Sequence, residues 1–457
     1  MATWNVINLS ELENFKDFSS EYYRADNIQK SNVIRKIGTI RAGNAGFITD
    51  GEHGSPCWSE TSGIKYITAE FIKENYIEQG DFKQITKEQD KKNARARLQV
   101  GDVLVYSVGA YAGLAAVAEP HLFPANIPRS VAIIRLNKNE NLNAEYVSAF
   151  INSKYGKFQT FRLRAGNSQP VLALDKIRQI EIPVIEEQFQ KEIQSYYQDS
   201  YKQRLLSQSL YHQAEALLTK ELQLDKLQLP KNKWYTAQYS EVVDDGRMDS
   251  EYFSPVVKKI LEADFLKGSF TIGGLFYIVR GYTPKSYYTM GVPMVKTKSV
   301  RTPVIDKKRI EDYANSNESL TLTQENDLIL AAMGVGSLGR TSFITQDDSG
   351  VAIDGTLRIF RKKDENFKYV EIPTMLFLST EIGQKLIYRG IVGSTGIISV
   401  TDDYLAKIPV PMVDEPIRKK LTELVLKSID TKKQSQALLA RAKTRVEELI
   451  EQEANKK

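Results

Sequence analysis

The feature that most narrows what this chain can fold into is that it contains one pattern twice. Shifted by 230 residues, Thr3–Tyr23 falls on Lys233–Phe253 without a gap, aligning Trp4 with Trp234, Ser10 with Ser240 and Glu11 with Glu241. Within that stretch Ser20-Glu21-Tyr22-Tyr23 meets Ser250-Glu251-Tyr252-Phe253. The register then drifts by a few residues while the order holds. Gly63–Thr68 matches Gly291–Lys296, and Asp102–Val105 with Gly109 matches Asp327–Leu330 with Gly334. Ile127–Leu136 matches Ile353–Lys362, pairing Arg135 with Arg361. Gly166-Asn167-Ser168 matches Gly393-Ser394-Thr395, and Ile180–Val184 matches Ile408–Met412. An order that never breaks from the first tryptophan to the last proline implies a duplicated unit.

Each copy changes character partway. Roughly the first 180 residues are runs of Val, Ile, Tyr and Thr bounded by Gly, Pro, Asn and Asp, which predicts short strands, tight turns and a few helices. The fold class expected is α+β. About 40 residues without glycine follow, and without proline except Pro416, which falls in a first helical turn where proline is tolerated. Helices are therefore expected from about Glu186 to Leu224 and from about Asp414 to Glu453. Alternating steps of four and three give a stripe of Phe189, Ile193, Tyr196, Leu210, Ala214 and Leu217 in the first. The second gives Ile417, Leu421, Leu424, Leu438, Ala442 and Leu449. Both stripes turn polar at the centre, at Ser200, Gln203 and Ser207 and at Ser428, Thr431 and Ser435. A polar centre fixes the register of paired helices at some cost in stability. A helix of about 38 residues is roughly 57 Å long, more than one small domain can bury. Antiparallel pairing of the two helices is the expectation, and two helices each lying on its own module is the plainer alternative. The chain divides accordingly into modules at 1–185 and 230–413 and long helices at 186–229 and 414–457.

Composition excludes several classes. The net charge is +5, from 62 Lys and Arg against 57 Asp and Glu, so a polyanionic partner has to be met by local patches. Cys57 is the one cysteine and cannot form an intrachain disulfide. The N-terminus lacks a basic region leading into an apolar run, and the cytoplasm is the expected compartment. The uncharged stretch Val103–Ala118 is shorter than the ~20 residues of a spanning helix. His53, His121 and His212 are scattered, and only His53 with Cys57 is close enough to suggest a metal; a structural zinc needs about four ligands, so none is expected. Gly334-Val335-Gly336-Ser337-Leu338-Gly339 spells GxGxxG, but Arg340–Thr345 behind it reads as a strand, where a dinucleotide site needs a helix. Its counterpart Gly109-Ala110-Tyr111-Ala112-Gly113 lacks the pattern, so both are read as turns. Asp244-Asp245 and Asp402-Asp403 read as solvated loop ends. With no lysine-bearing phosphate loop and no serine elbow, no catalytic residue is assigned and the chain is expected to be non-enzymatic.

Polar, basic and aromatic residues of the modules give the better functional signal. Lys65, Arg95, Arg97, Arg129, Arg162, Arg164, Asn167 and Gln169 are candidates in the first copy. Lys285, Ser286, Tyr287, Lys296, Lys298, Arg301 and Arg340 are candidates in the second. Lys and Arg hold phosphates, while Arg, Asn and Gln make paired hydrogen bonds to base edges. Solvated surface charge is the bland reading of each cluster.

Over essentially its whole length the chain resembles the specificity subunits of type I restriction-modification systems. The resemblance rests on the duplicated module and long helix, and on Arg280-Gly281-Tyr282-Thr283-Pro284 followed by Gly291-Val292-Pro293. It rests also on Gly166-Asn167-Ser168-Gln169, Leu172, Leu174, Ile180-Glu181-Ile182-Pro183 and Glu187-Gln188. The second copy departs with Gly396 opposite Gln169 and with Glu415-Pro416, and the first lacks a Thr-Pro pair after Arg41-Ala42-Gly43. The resemblance implies two target recognition domains, each reading half of a bipartite, asymmetric site in double-stranded DNA. It implies a helical spacer that docks two adenine methyltransferase subunits. No cofactor would be bound by this chain; S-adenosylmethionine would belong to those partners. Whether motor-nuclease subunits using ATP and Mg join them stays open. The alternative is a non-catalytic coiled-coil adaptor displaying two modules for ligands other than DNA.

Overall fold

The computed structural model describes residues 23–166, 168–231, 234–393 and 398–456. Thr3–Tyr22 of the first repeat match, Asn167, Lys233 and Ser394–Gly396 lie outside the described residues. The chain forms two compact units, Met1–Gln203 with Lys433–Lys457, and Arg204–Lys432. Both divisions fall inside long helices, where the sequence places boundaries at helix ends. The reason is packing: Leu439, Ala442, Val446, Leu449 and Ile450 belong to the core of the first unit. Ala214, Leu218 and Leu222 belong to that of the second.

In the first unit, strands β1 (Gly46–Asp50), β2 (Val103–Tyr106), β3 (Ala115–Val117) and β4 (Val131–Leu136) form an antiparallel sheet ordered β1-β4-β2-β3. Alternation along a strand serves two layers. Val103, Val105 and Ala115 pack on helices α1 (Ala144–Asn152) and α2 (Lys154–Leu163). Leu104, Ala116, Val131 and Ile133 pack with Ile67, Ile72, Ile77 and Leu122 on the other face. A smaller sheet joins Lys65–Tyr66 to Ala125–Asn126 in parallel and to Gln84–Ile85, which also pairs Trp58–Ser59. The unit continues into helix α3 (Glu187–Glu221).

The second unit repeats this order. Strands β5 (Phe276–Arg280), β6 (Leu328–Ala331), β7 (Thr341–Phe343) and β8 (Leu357–Lys362) run β5-β8-β6-β7. Val292–Val295 pairs in parallel with Ala352–Ile353 and antiparallel with Asp312–Ala314. Helices α4 (Glu371–Ser379) and α5 (Glu381–Arg389) precede helix α6 (Glu415–Lys456). Small devices recur too. The Ser153 hydroxyl donates to the Phe150 carbonyl at 2.6 Å and accepts from the Gly156 N–H, capping α2. Thr380 repeats both bonds with Phe377 and Gly383 to cap α5. A Cβ on Gly156 or Gly383 would lie 2.2 Å from the Phe150 or Phe377 carbonyl oxygen, so neither position admits a side chain. Arg135 holds buried Asp102 through two bonds of 2.7 Å, and Arg361 holds buried Asp327 at 2.9 and 2.7 Å. Each aspartate also accepts a backbone N–H, from Gln99 and Gln324, at 2.7 Å.

α3 packs against α6. In the first unit Glu192 pairs with Arg445 at 2.9 Å and Ser200 bonds Ser435 at 2.8 Å, so α6 retreats as α3 advances. In the second unit Ser207 and Ser428 bond each other's carbonyl oxygens at 2.8 and 2.7 Å. Buried Ile193, Tyr197, Ser200, Arg204, Ser207, Leu210, Ala214 and Leu218 mark the seam on α3. On α6 it runs through Leu421, Val425, Ser428, Thr431, Ser435, Leu439, Ala442, Val446 and Leu449. This corrects the expected stripe at half its positions. Ile193, Leu210, Ala214, Leu421, Ala442 and Leu449 are buried as expected, whereas Tyr196, Leu217, Leu424 and Leu438 are half-buried beside the buried Tyr197, Leu218, Val425 and Leu439. Phe189 and Ile417 pack at the margins. From Ile193 the step is four and then three, not three and then four, and buried Arg204 takes the place expected for Gln203. Among the described residues no helix is long and apolar enough to cross a membrane.

Candidate nucleic-acid interface

The small sheet of the first unit carries an exposed aromatic on a buried base. Trp58 stands edge-on to buried Tyr66 with ring centroids 5.7 Å apart, and the Lys83 ammonium lies 5.0 Å from its ring centre. Burial first, and the Glu52 carboxylate second, push the Tyr66 hydroxyl up to about 12, so it stays neutral at ordinary pH. Trp58, Glu60, Phe82 and Lys83 line a shallow concavity. Beside it lies a polar cluster: Arg95 bonds Asp50 at 3.2 Å, His53 bonds Asp50 at 2.8 Å, and Arg97 bonds Asp90 at 2.7 Å. Asn93 bonds Glu52, and Asn126 bonds Asp90 at 2.9 Å. The Asn93 amide and the Gly54 N–H hold Glu52 below the usual carboxylate range. The arginines are about half exposed although their carboxylates are largely buried, so a phosphate can approach Arg95 and Arg97 without breaking either pair.

The other first-copy candidates are placed differently. Lys65 is occupied structurally, donating to the His121 carbonyl at 2.7 Å. Arg129 is exposed, and its backbone N–H bonds the Glu52 carbonyl at 2.9 Å. Arg162 bonds Ser31 at 3.0 Å, while Arg164 lies 4.2 Å from the centre of the exposed Phe161 ring. Exposed Gln169 belongs to a loop beside the glycine turn, since Gly109 N–H bonds the Pro170 carbonyl at 2.9 Å. Asn167 of that loop is outside the described residues.

The second unit gathers its candidates on the equivalent small sheet. The Lys296 ammonium is 3.3 Å from the Tyr287 ring centre and 3.2 Å from Asp312. Tyr287 donates to Asp354 at 2.6 Å, and its hydroxyl is pushed up by burial and then by that carboxylate. Lys298 bonds Glu311 and lies 3.9 Å from Asp312. Lys285 and Ser286 are exposed next to them. Arg301 is apart from this group: its guanidinium bonds the Val300 carbonyl at 2.8 Å and its N–H bonds Ser342 at 3.0 Å, a framework role. Arg340 is half-buried where the GxGxxG turn enters β7. That turn has Gly334, Gly336 and Gly339 at φ 107, 72 and 81°, and a strand follows it, as the sequence reading holds. Gly334 N–H bonds the Ile398 carbonyl at 2.9 Å, repeating the Gly109–Pro170 bond.

Both small sheets thus present a cation on an exposed aromatic, an arrangement suited to a phosphate-bearing, π-faced ligand. Tyr287 and Lys296 are among the candidates read from the sequence, and Trp58 and Lys83 are not. Trp58 is the tryptophan with no repeat partner, so a search for duplicated positions passes over it; its own type was the available signal. Asp402 is another difference, since it pairs with buried Arg358 and is not only a solvated loop end.

No protein-family model matches the chain, and no curated protein matches it. Among solved structures it is similar to the S subunit of a type I restriction-modification system from M. genitalium, at 12% identity over 91% of this chain and 95% of that chain, with TM-score 0.44. It is similar to the HsdS subunit from Thermoanaerobacter tengcongensis at 14% identity over 90% of this chain and 96% of that one, with TM-score 0.28. A chain from a structure on complex assembly and conformational transition of the type I R-M system has 14% identity, 92% and 96% coverage, and TM-score 0.28.

Proposed function

We propose that the chain is the DNA-recognition subunit of a type I restriction-modification complex and performs no chemistry itself. Each module reads one half of a bipartite double-stranded site, the paired helices set the gap, and methyltransferase subunits that bring S-adenosylmethionine dock on the chain. The observation that carries this reading is the duplication itself: one sheet order, one capping device and one Asp–Arg pair occur twice, each module running into a helix of an antiparallel pair. Two similar readers on a stiff spacer gain by avidity only at one separation of their targets. Cation-on-aromatic faces and the half-exposed Arg95 and Arg97 supply the phosphate contacts.

The spacer is where this reading is most easily tested. Duplicating the heptads Ser200–Leu206 in α3 and Ser428–Gln434 in α6 keeps the seam in phase and lengthens the rod by about 10 Å, close to three base pairs. Sequencing of DNA methylated by the reconstituted complex should return the same two half-sites with a gap longer by about that amount. An unchanged gap, or no salt-sensitive DNA binding by the parent complex, contradicts the reading.

A further inference from the structure

The stretch Trp234–Phe253 of the second unit contains none of the candidate contacts named above. Its helix, Tyr239–Asp245, buries no residue. Trp234 is 90% exposed, Tyr239 82% and Met248 90%. Yet the segment is fastened. Arg247 grips Asp249 with bonds of 2.7 and 2.8 Å and reaches the Ile391 carbonyl at 2.7 Å. Arg389 bonds the Tyr252 carbonyl at 3.1 Å, and the guanidinium carbons of Arg247 and Arg389 lie 4.9 and 4.0 Å from the Tyr252 ring centre. Glu241 bonds the Gln238 N–H and Lys258, each at 3.1 Å. A fixed scaffold therefore holds large apolar side chains out in water, where such a patch marks an interaction site.

Charge says which kind. Glu241, Asp244, Asp245, Asp249 and Glu251 outnumber the cations they meet, Arg247 within the stretch and Lys258 and Arg389 packed against it. DNA phosphate would be repelled, and a basic protein face would be drawn in. The repeat in the first copy has the same character, with Trp4, Leu9 and Phe18 aligned to Trp234, Tyr239 and Met248, and with Glu11, Glu13, Asp17 and Glu21 against Lys16. The duplicated chain has kept an acidic, apolar segment twice, and kept the tryptophan in both.

We infer that Trp234–Phe253 is a protein-docking surface for a methyltransferase subunit, which meets it with Lys and Arg around an apolar pocket that receives Trp234. This rests on the proposed function, and it places a docking contact on the modules in addition to the helices. Trp234, Tyr235 and Tyr252 line a concavity with Glu241, Asp245, Lys258 and Arg389; Glu241 is taken by Lys258, which leaves Asp245 there for a partner's cation.

The test uses the full chain with its co-expressed adenine methyltransferase subunit, read by native mass spectrometry and by titration of the purified subunits. Trp234→Ala should weaken one of two bound subunits by roughly tenfold or more, as a tryptophan anchor does, and shift the assembly from two subunits to one. Asp244→Lys with Asp245→Lys should do the same. Trp234 packs in no core cluster, so the unfolding midpoint should hold, and Tyr239→Ser provides a second variant if it does not. Two subunits bound with unchanged affinity in all three variants would overturn the docking surface and leave the function standing. No binding by the parent chain would overturn both. Loss of self-association in place of subunit binding would make the surface a contact between copies of this chain and overturn the inference.

Discussion

The two modules agree in what holds them together and differ in what they show and how they are moored. Asp102–Arg135 and Asp327–Arg361 are the same pair in the same place, and Ser153 and Thr380 cap equivalent helices. Outward, Trp58 with Lys83 stands in one module and Tyr287 with Lys296 in the other. The moorings have also parted. In the first unit Asn75 accepts the Tyr197 hydroxyl of α3 and the Asn152 amide, both at 2.6 Å. Glu74 beside it bonds Lys443 of α6 at 2.6 Å and Lys157 at 3.3 Å. In the repeat, Tyr197 corresponds to Val425 and Lys443 to Glu215, so that polar latch has no counterpart in those residues. Duplication preserved the sheet's internal ties and released the surface and the anchorage to diverge.

The largest effect tests the shared part. Asp102→Ala and Asp327→Ala each remove a buried carboxylate that accepts two guanidinium bonds and one backbone N–H, and should each cost about 3 kcal/mol in denaturant unfolding of its own unit. A clearly unequal pair would mean that the two frameworks are not equivalent. Next comes the mooring: Tyr197→Phe removes one buried hydrogen bond and should cost about 1 kcal/mol, confined to the first unit. A loss spread over both transitions would break the contrast.

The smallest effect is a pH dependence. Burial alone would raise the Glu74 carboxyl, but the hydrogen bonds and charges of Lys443 and Lys157 outweigh it and hold the group below its usual 4.5. A depressed carboxylate stabilises the fold above its unfolded value, and that contribution is lost as pH falls through the folded value. Glu74→Gln should therefore lower stability at neutral pH and flatten its decline below about pH 4.5 in acid titration of the first unit.

Much of this architecture was legible because duplication makes each half check the other. Arg135 and Arg361 align in the sequence, and the structure gives both a buried aspartate. The helical seam was half legible. Apolar residues come in neighbouring pairs at Tyr196-Tyr197, Leu217-Leu218, Leu424-Val425 and Leu438-Leu439, so either member fits a heptad, and only the facing helix selects the second. Candidate contacts were least legible. A lysine in a strand shows nothing in sequence of whether a carbonyl 56 residues away will occupy it, as His121 occupies Lys65. Arg301 is occupied at closer range, by the Val300 carbonyl and Ser342.

On the proposed function, the two modules read two separate half-sites. Binding of the complex to duplexes altered in one half-site or the other, with charge reversal at Lys285 or Arg340 and at Arg129 or Arg164, addresses it directly. The first pair of variants should lose sensitivity to one half-site only, and the second pair to the other only. Equal loss at both half-sites from any of these variants would contradict it.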